Sequence, residues 1–319
     1  MKVIVYKKYK NILLYNIPGT IYIFIILIII FSTTTKNFLS LNNFKNILLQ
    51  GSSLSIIALG MSIVMLTNGI DLSVGSIISL VSIVIAIFLA NGFSIIFSIF
   101  IGILIGCGIG FLNGIFASTL KLPPFIVTLG TMGIASSLAL VFSGGLTLYW
   151  DKNWFNAIAK EEFIGLPVPF WIILILLCFI IWLFNFQSFG TYIWGVGNNE
   201  ESLRLAGVRI NFFKIMAYII CAAFAGVASI ITTSRIASGN PTIGFGREFE
   251  AIAAAAIAGI SFFGGKGHPG FAVFSGFTIT ILINGLSLLG LSTAWQYVGI
   301  GFLLIIGMSL NMFRLIKRT

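Results

Sequence analysis

Ten long apolar runs, separated by short polar segments, constrain this chain more than any other feature of its sequence. A soluble domain carries roughly 25% charged residues, whereas here charged residues make up 8% and hydrophobic residues 58% of 319 positions. Water could not solvate the surface that such a chain would present, and an aromatic content of 14% excludes a disordered chain. The sequence therefore predicts an all-α fold, a polytopic membrane helical bundle with about ten transmembrane helices.

The apolar runs predict spans at 17–34, 46–68, 75–90, 93–116, 125–143, 169–186, 212–233, 250–263, 270–289 and 295–312. The third, fifth and eighth are short for a full crossing, which takes about 20 residues, so we expect them to be tilted, broken or partly re-entrant. The predicted organisation is an N-terminal arm 1–16, a transmembrane domain 17–312 with a polar loop 189–211, and a tail 313–319. A short helix is also predicted within the polar segment 143–168.

Charge predicts the orientation of these spans. With the N-terminus inside and ten crossings, the inside segments hold 12 of the 18 Lys and Arg residues and the outside segments hold six. Because cytoplasmic loops of membrane proteins are enriched in Lys and Arg, both termini are predicted to be cytoplasmic. The same rule explains the net charge of +10 without a nucleic-acid partner.

The sequence TNGIDLSVGS, residues 67–76, predicts a broken helix. The first helix should stop near Asn68 and Gly69, and the next should start after Asp71 or Ser73, either of which can cap it. Asp71 is the only acidic residue in the first 150 positions, and a carboxylate facing hydrocarbon is costly. Two interpretations remain open: the segment lines a translocation path near the middle of the bilayer, or Asp71 only caps a helix.

Four glycines spaced four residues apart form a bare stripe on the fourth predicted helix: Gly102, Gly106, Gly110 and Gly114. Such a stripe lets another helix approach closely. Plain helix packing is the favoured interpretation, and a seam beside a moving pathway is the alternative.

The loop sequence GNNEESLRLAGV, residues 197–208, predicts a short helix with asparagine at its start, acids in its first turn and glycine at its end. A capped helix between two spans has the form of a docking element, although an amphipathic loop resting on the membrane is the alternative. The candidate residues for coupling to a partner are Asn198, Asn199, Glu200, Glu201, Arg204 and Gly207.

In residues 237–270, three charged residues are followed by a run of alanines and then by a glycine turn. Arg247, Glu248 and Glu250 are predicted at the outer mouth of the bundle. The GGKG turn does not fit a phosphate-binding loop, and His268 has no second ligand candidate nearby, so no metal site is predicted. No nucleophile–base pair or dinucleotide motif is present either, and we expect a chain that is not itself an enzyme.

Four motifs, in this order, resemble the permease subunit of bacterial ribose-type sugar ABC importers: TNGIDLSVGS, FGTYIWGVGNNEESLRLAGV, GNPTIGFGREFEAIAAAAIAGISFFGGKG and INGLSLLGLSTAWQYVGIGFLLI. The resemblance spans about residues 45 to 312. It implies a fold similar to that of the vitamin B12-type importer permeases. Two departures are Glu250, where relatives commonly have aspartate, and His268-Pro269 after GGKG.

The resemblance also implies partners and a place in the cell. Two permease subunits, as a homodimer or with a paralogous permease, would form the pore in the bacterial inner membrane. A separate cytoplasmic ATPase would bind ATP and Mg²⁺, and an extracytoplasmic sugar-binding protein would deliver the sugar. The segment Asn198–Gly207 would be the coupling helix, and no cofactor is expected on this chain.

Other functions stay open from the sequence. Similar permeases carry nucleosides, branched-chain amino acids or autoinducer sugars. An ATP-independent channel or facilitator is a further alternative, which the polar docking element disfavours.

Overall fold

The computed structural model describes residues 19–151 and 153–316, so the predicted N-terminal arm 1–16 and residues 317–319 of the predicted tail lie outside the described residues. The described chain is mostly helical and contains one short hairpin. The helices are α1 (Gly19–Thr34), α2 (Leu41–Leu66), α3 (Val74–Ala90), α4 (Ile95–Ser118), α5 (Pro124–Ser143), α6 (Asn153–Lys160), α7 (Val168–Asn185), α8 (Ser188–Asn198), α9 (Glu200–Leu205), α10 (Ile210–Ile236), α11 (Arg247–Ile257), α12 (Gly270–Leu288) and α13 (Thr293–Ile316).

The predicted all-α membrane bundle is confirmed. Six described helices, α2, α4, α5, α7, α10 and α12, are long and apolar enough to cross a membrane, and α1, α3 and the first part of α13 are shorter apolar helices. The predicted span 250–263 differs most from the structure. Its helix, α11, has 11 residues, about 16 Å at 1.5 Å per residue. It ends at Ile257 because Gly259, with φ 87°, leaves the helical conformation.

Helix α2 lies at the centre of the bundle. It packs against α10, α11 and α12, and every residue from Gly51 to Leu66 is buried. Small residues allow this approach: a Cβ added at Gly60 would stand 3.0 Å from the Cα of Cys221 in α10. Inside lipid such van der Waals contact stabilises helix pairs in place of the hydrophobic effect.

The segment between α5 and α7 carries the predicted short helix, which the structure confirms as α6. A two-residue hairpin follows, in which β1 (Glu162–Phe163) pairs with β2 (Leu166–Pro167) in antiparallel register. Lys45 near the start of α2 bonds Glu162 at 2.7 Å. This bond ties the hairpin to the central helix.

Candidate coupling segment and buried helix break

The helical conformation is interrupted between α2 and α3, where the sequence predicts a break in the helix. Helix α2 ends at Leu66 and α3 begins at Val74. Asn68 has φ 61°, a left-handed conformation that asparagine adopts more readily than most residues. Gly69 has no room for a side chain, because a Cβ there would stand 2.6 Å from the hydroxyl oxygen of Tyr218. Backbone conformation and close packing against α10 together fix the break.

Asp71 is fully buried beside the first turn of α3. Its Oδ1 accepts hydrogen bonds from the backbone N–H of Ser73 at 2.9 Å and from Ser73 Oγ at 2.6 Å. Asn113 Nδ2 in α4 donates to Ser73 Oγ at 2.9 Å, and Asn113 Oδ1 accepts from Thr131 Oγ1 in α5 at 2.7 Å. A continuous chain of hydrogen bonds therefore joins the helix break to α4 and α5.

Ser73 is the N-cap residue of α3 but makes no side-chain capping hydrogen bond, so neither predicted cap forms as expected. Asp71 Oδ1 accepts the N–H of Ser73, two residues further on, as in an Asx turn. Asp71 Oδ2 and Tyr218 Oη are buried and have no hydrogen-bond partner within the described part of the chain. Contact of this segment with a transported solute stays a prediction.

The polar loop forms α8 and the six-residue helix α9. Asn199 caps α9 by accepting the backbone N–H of Ser202 at 3.0 Å, and Gly207, with φ 78°, follows its end. Both features agree with the predicted signals. No residue of α9 is buried, and the side chain of Leu205 is 81% exposed. Helix α9 is therefore an exposed, capped knob.

Glu200 and Arg204 are four residues apart, a spacing that predicts an ion pair between them on a helix, but α9 pairs these residues differently. Arg204 bonds Glu201, and Glu200 bonds Lys214 of α10 at 2.6 Å. Spacing along the loop sequence does not take α10 into account, and α10 places Lys214 beside the first turn of α9. The hydrogen bond from Arg204 to Glu201 raises the pKa of the arginine above its ordinary value.

Asn198 does not cap α9. Its Nδ2 donates instead to the carbonyl oxygens of Trp194 and Gly265, both at 2.9 Å. Trp194 Nε1 in turn donates to the carbonyl of Gly267 at 2.8 Å. The end of α8 is thus bonded to the glycine turn 264–267, a contact that lies 67 residues away in sequence and has no local sequence signal.

The three charges of α11 lie at the start of that helix. Arg247 bonds Glu250 at 2.6 Å and lines a crevice with Gln50 and Arg235. Glu248 is buried, and its carboxylate contacts Gly75 in the first turn of α3. Whether these residues form an outer mouth stays a prediction.

The glycine stripe of α4 faces inward. All four glycines are buried, and a Cβ at Gly110 would stand 2.6 Å from both the Cβ of Ala222 and the carbonyl oxygen of Tyr218 in α10. Gly114 approaches α10 in the same way at Ile215, while Gly102 lies against Ile85 of α3. Helix packing is the role that these contacts support.

Asn113, Thr131 and Tyr218 are site residues that the sequence analysis missed. A buried amide in an otherwise apolar helix is a signal for Asn113, but its partner could not be read from the sequence. Within the described ranges, no group of three or more His, Cys, Asp or Glu residues is arranged to hold a metal ion.

Comparison with known proteins supplies the family. The model of the family described as "Branched-chain amino acid transport system / permease component" matches residues 43–308. The ribose import permease protein RbsC of Escherichia coli K12 is 34% identical over 281 residues, which cover 86% of this chain and 87% of that protein. No solved structure matches the chain.

Two further relatives extend the similarity. The D-allose transport system permease protein AlsC of E. coli K12 is 34% identical over 98% of this chain and 96% of its own length. RbsC of Bacillus subtilis 168 is 36% identical over 90% of this chain and 89% of its own length. Matches over this span and at this identity show that the chain belongs to the family of branched-chain amino acid transport system permease components.

Proposed function

We propose that this chain is the membrane-spanning permease subunit of an ABC importer for a simple sugar of the ribose or allose type. The observation that carries the proposal is the similarity to sugar import permeases over nearly the whole chain. The exposed knob α9 supports it, because a capped helix without buried residues is suited to bind a partner. The family description names branched-chain amino acids, and that solute class is the second candidate.

The partner proposed for α9 is a separate cytoplasmic ATPase that binds ATP and Mg²⁺. A pocket of about 350 Å³ adjoins the knob and offers both apolar surface and a cation for docking. It is lined by Tyr192, Ala206, Gly207, Val208, Arg209, Phe212 and Phe213. Aromatic and arginine side chains of this kind are enriched at protein interfaces.

The proposed assembly contains two permease subunits, identical or paralogous, and an extracytoplasmic sugar-binding protein. The proposed topology has ten crossings, with both termini on the cytoplasmic side of the bacterial inner membrane and a fold similar to the vitamin B12-type permeases. The positive charge of the predicted inside segments supports this orientation. Helix α11, too short to cross alone, would complete its crossing with residues 258–263, which precede the glycine turn.

The proposed mechanism is alternating access. ATP binding closes the ATPase domains and moves the α9 knobs of the two permeases, and the pore formed by the two permeases changes the side to which it opens. Nucleotide and loaded binding protein must each favour one of the two states for the cycle to run.

The test is copurification with candidate ATPases and binding proteins, followed by ATPase assays in liposomes. We expect a stable complex whose ATP hydrolysis rises when sugar-loaded binding protein is added. Sugar entry in liposomes that contain the permease and no ATPase would overturn the proposal in favour of a facilitator. Stimulation by an amino-acid receptor, and by no sugar receptor, would establish the second candidate.

A further inference from the structure

The glycine turn 264–267 lies between the two segments that the sequence singles out. On one side, the N–H of Gly265 donates to the carbonyl of Leu66, the last residue of α2, at 2.9 Å. On the other side, the carbonyl of Gly265 accepts from Asn198 Nδ2 at 2.9 Å. One peptide segment is thus hydrogen-bonded both to the helix break and to the end of α8, one residue before the α9 cap.

The packing at this point leaves no room for side chains. A Cβ at Gly264 would stand 2.9 Å from both the backbone N of Asn68 and the Cα of Gly197. A Cβ at Gly265 would stand 2.7 Å from the backbone N of Asn198, and one at Gly197 would overlap Leu66 and Gly265. Three backbones therefore touch directly. A displacement of one must move the others, because close-packed interiors have low compressibility.

The turn is itself held in shape. The N–H of Ser261 donates to the carbonyl of Lys266 at 3.0 Å, and the N–H of Gly264 donates to the carbonyl of Ser261 at 3.2 Å. Gly264, Gly265 and Gly267 all have positive φ, a conformation that residues with a Cβ adopt only at an energetic cost. The turn therefore has hydrogen bonds of its own in addition to those that join it to α2 and α8.

We propose that the glycine turn is the positioning element that carries movement of α8 and α9 to the helix break at 67–73. The inference rests on the proposed function, since it gives the turn a task in coupling ATP hydrolysis to transport. The route runs from α9 through Asn198 to Gly265, and from Gly265 through Leu66 to the break. Asp71 and Ser73, hydrogen-bonded to Asn113, extend it to α4 and α5.

The test compares two Gly→Ala substitutions in the complete importer, reconstituted in proteoliposomes with its ATPase and binding protein. Gly265→Ala adds a methyl group between Asn198 and the turn. Gly290→Ala is the matched control, since Gly290 has φ 77° but nothing within 4 Å of an added Cβ. The control variant therefore has comparable backbone strain but lacks the steric contact of the added methyl group. The measured quantity is sugar delivered per ATP hydrolysed, together with ATPase retained on the purified complex.

We expect the Gly265→Ala complex to retain its bound ATPase subunit, because the α9 surface is unchanged. The same variant should deliver at least about fivefold less sugar per ATP hydrolysed, which is the lower end of typical coupling between sites. Gly290→Ala should match the wild type. Asn198→Ala, which removes a hydrogen bond without adding bulk, should lower the ratio in the same direction, and this variant decides the question if Gly265→Ala does not fold.

Equal sugar-to-ATP ratios in Asn198→Ala, Gly265→Ala and wild type would overturn the inference and leave the proposed function intact. An equal loss in Gly265→Ala and Gly290→Ala, with Asn198→Ala unaffected, would assign the effect to backbone strain and also overturn it. A wild-type chain that binds no ATPase would instead refute the proposed function.

Discussion

Helix α9 and the helix break at 67–73 both contain acidic residues beside the start of a helix, but the two segments differ in burial and in the partners of their acids. None of the residues of α9 is buried, whereas Asp71 and Ser73 are completely buried. The acids of α9 pair with Arg204 and Lys214 at the surface. Asp71 has no cationic partner in the described chain and uses hydroxyl, amide and backbone donors instead.

The difference in burial gives acidic side chains different roles in the two segments. Exposed ion pairs contribute little to stability, so the side chains of α9 are available to a partner at small cost. Buried polar groups without hydrogen bonds are costly, so the side chains around Asp71 hold helices in place. Substitutions should therefore affect folding at the break and coupling at the knob.

The largest effect on folding is expected at Asp71. Asp71→Ala leaves the N–H and Oγ–H of Ser73 without their acceptor, at about 1–3 kcal/mol for each unsatisfied group. Asp71→Asn keeps an acceptor at Oδ1 and serves as the matched control. Thermal unfolding in detergent should give a lower Tm for the alanine variant than for the asparagine variant. Equal Tm values would show that these hydrogen bonds do not hold the break.

The next largest effect on stability is expected at Gly110 of α4, and Gly108 on the same helix is the control position. A methyl group at Gly110 meets Ala222 and Tyr218, whereas one at Gly108 meets nothing within 4 Å. We expect Gly110→Ala to lower the free energy of unfolding by about 1–3 kcal/mol through overpacking. Gly108→Ala should be neutral or slightly stabilising, because alanine favours helix. Denaturant titration of both variants measures the difference, and equal losses would contradict the close approach of α10.

A smaller, pH-dependent effect is expected at His268, whose pKa is lowered by burial. Its Nδ1 accepts the N–H of Gly270 at 3.1 Å, and its Nε2 lies 3.2 Å from Asn185 Oδ1, an arrangement that requires the neutral ring. The unfolded chain binds this proton more readily, so stability should fall as pH drops below the ordinary histidine pKa of about 6.5.

Thermal unfolding between neutral and acidic pH measures the His268 effect. The variant His268→Gln should lose the part of the pH dependence that belongs to this residue. A variant with the unchanged wild-type profile would show that His268 does not contribute.

The smallest effect on folding is expected at Glu201. Glu201→Ala removes only an exposed pair with Arg204, so Tm should stay close to that of the wild type. In the reconstituted importer the same variant should hydrolyse ATP with reduced sugar delivery. A large loss of Tm would mean that α9 is a structural element, and full sugar delivery would exclude Glu201 from coupling.

Local signals in the sequence predicted the features that depend on neighbouring residues. The break after Leu66, the Asn199 cap and the glycine end of α9 each arise from residues a few positions apart. Three other features were not predictable in this way. They are the pairing of Glu200 with Lys214, the hydrogen bonds of Asp71 and Ser73 to Asn113, and the contacts of the glycine turn with α2 and α8. Their partners lie at least 14 residues away and meet only when the helices pack.

The most direct test of the central claim, that α9 couples this permease to a motor, is uptake after replacement of Glu200–Leu205 by a glycine–serine linker of equal length. Proteoliposomes that contain the ATPase, the binding protein and either chain would be supplied with ATP and radiolabelled ribose or allose. The account predicts that the wild type accumulates sugar and that the linker variant, although inserted and folded, does not. Accumulation at the wild-type rate by the linker variant would contradict it.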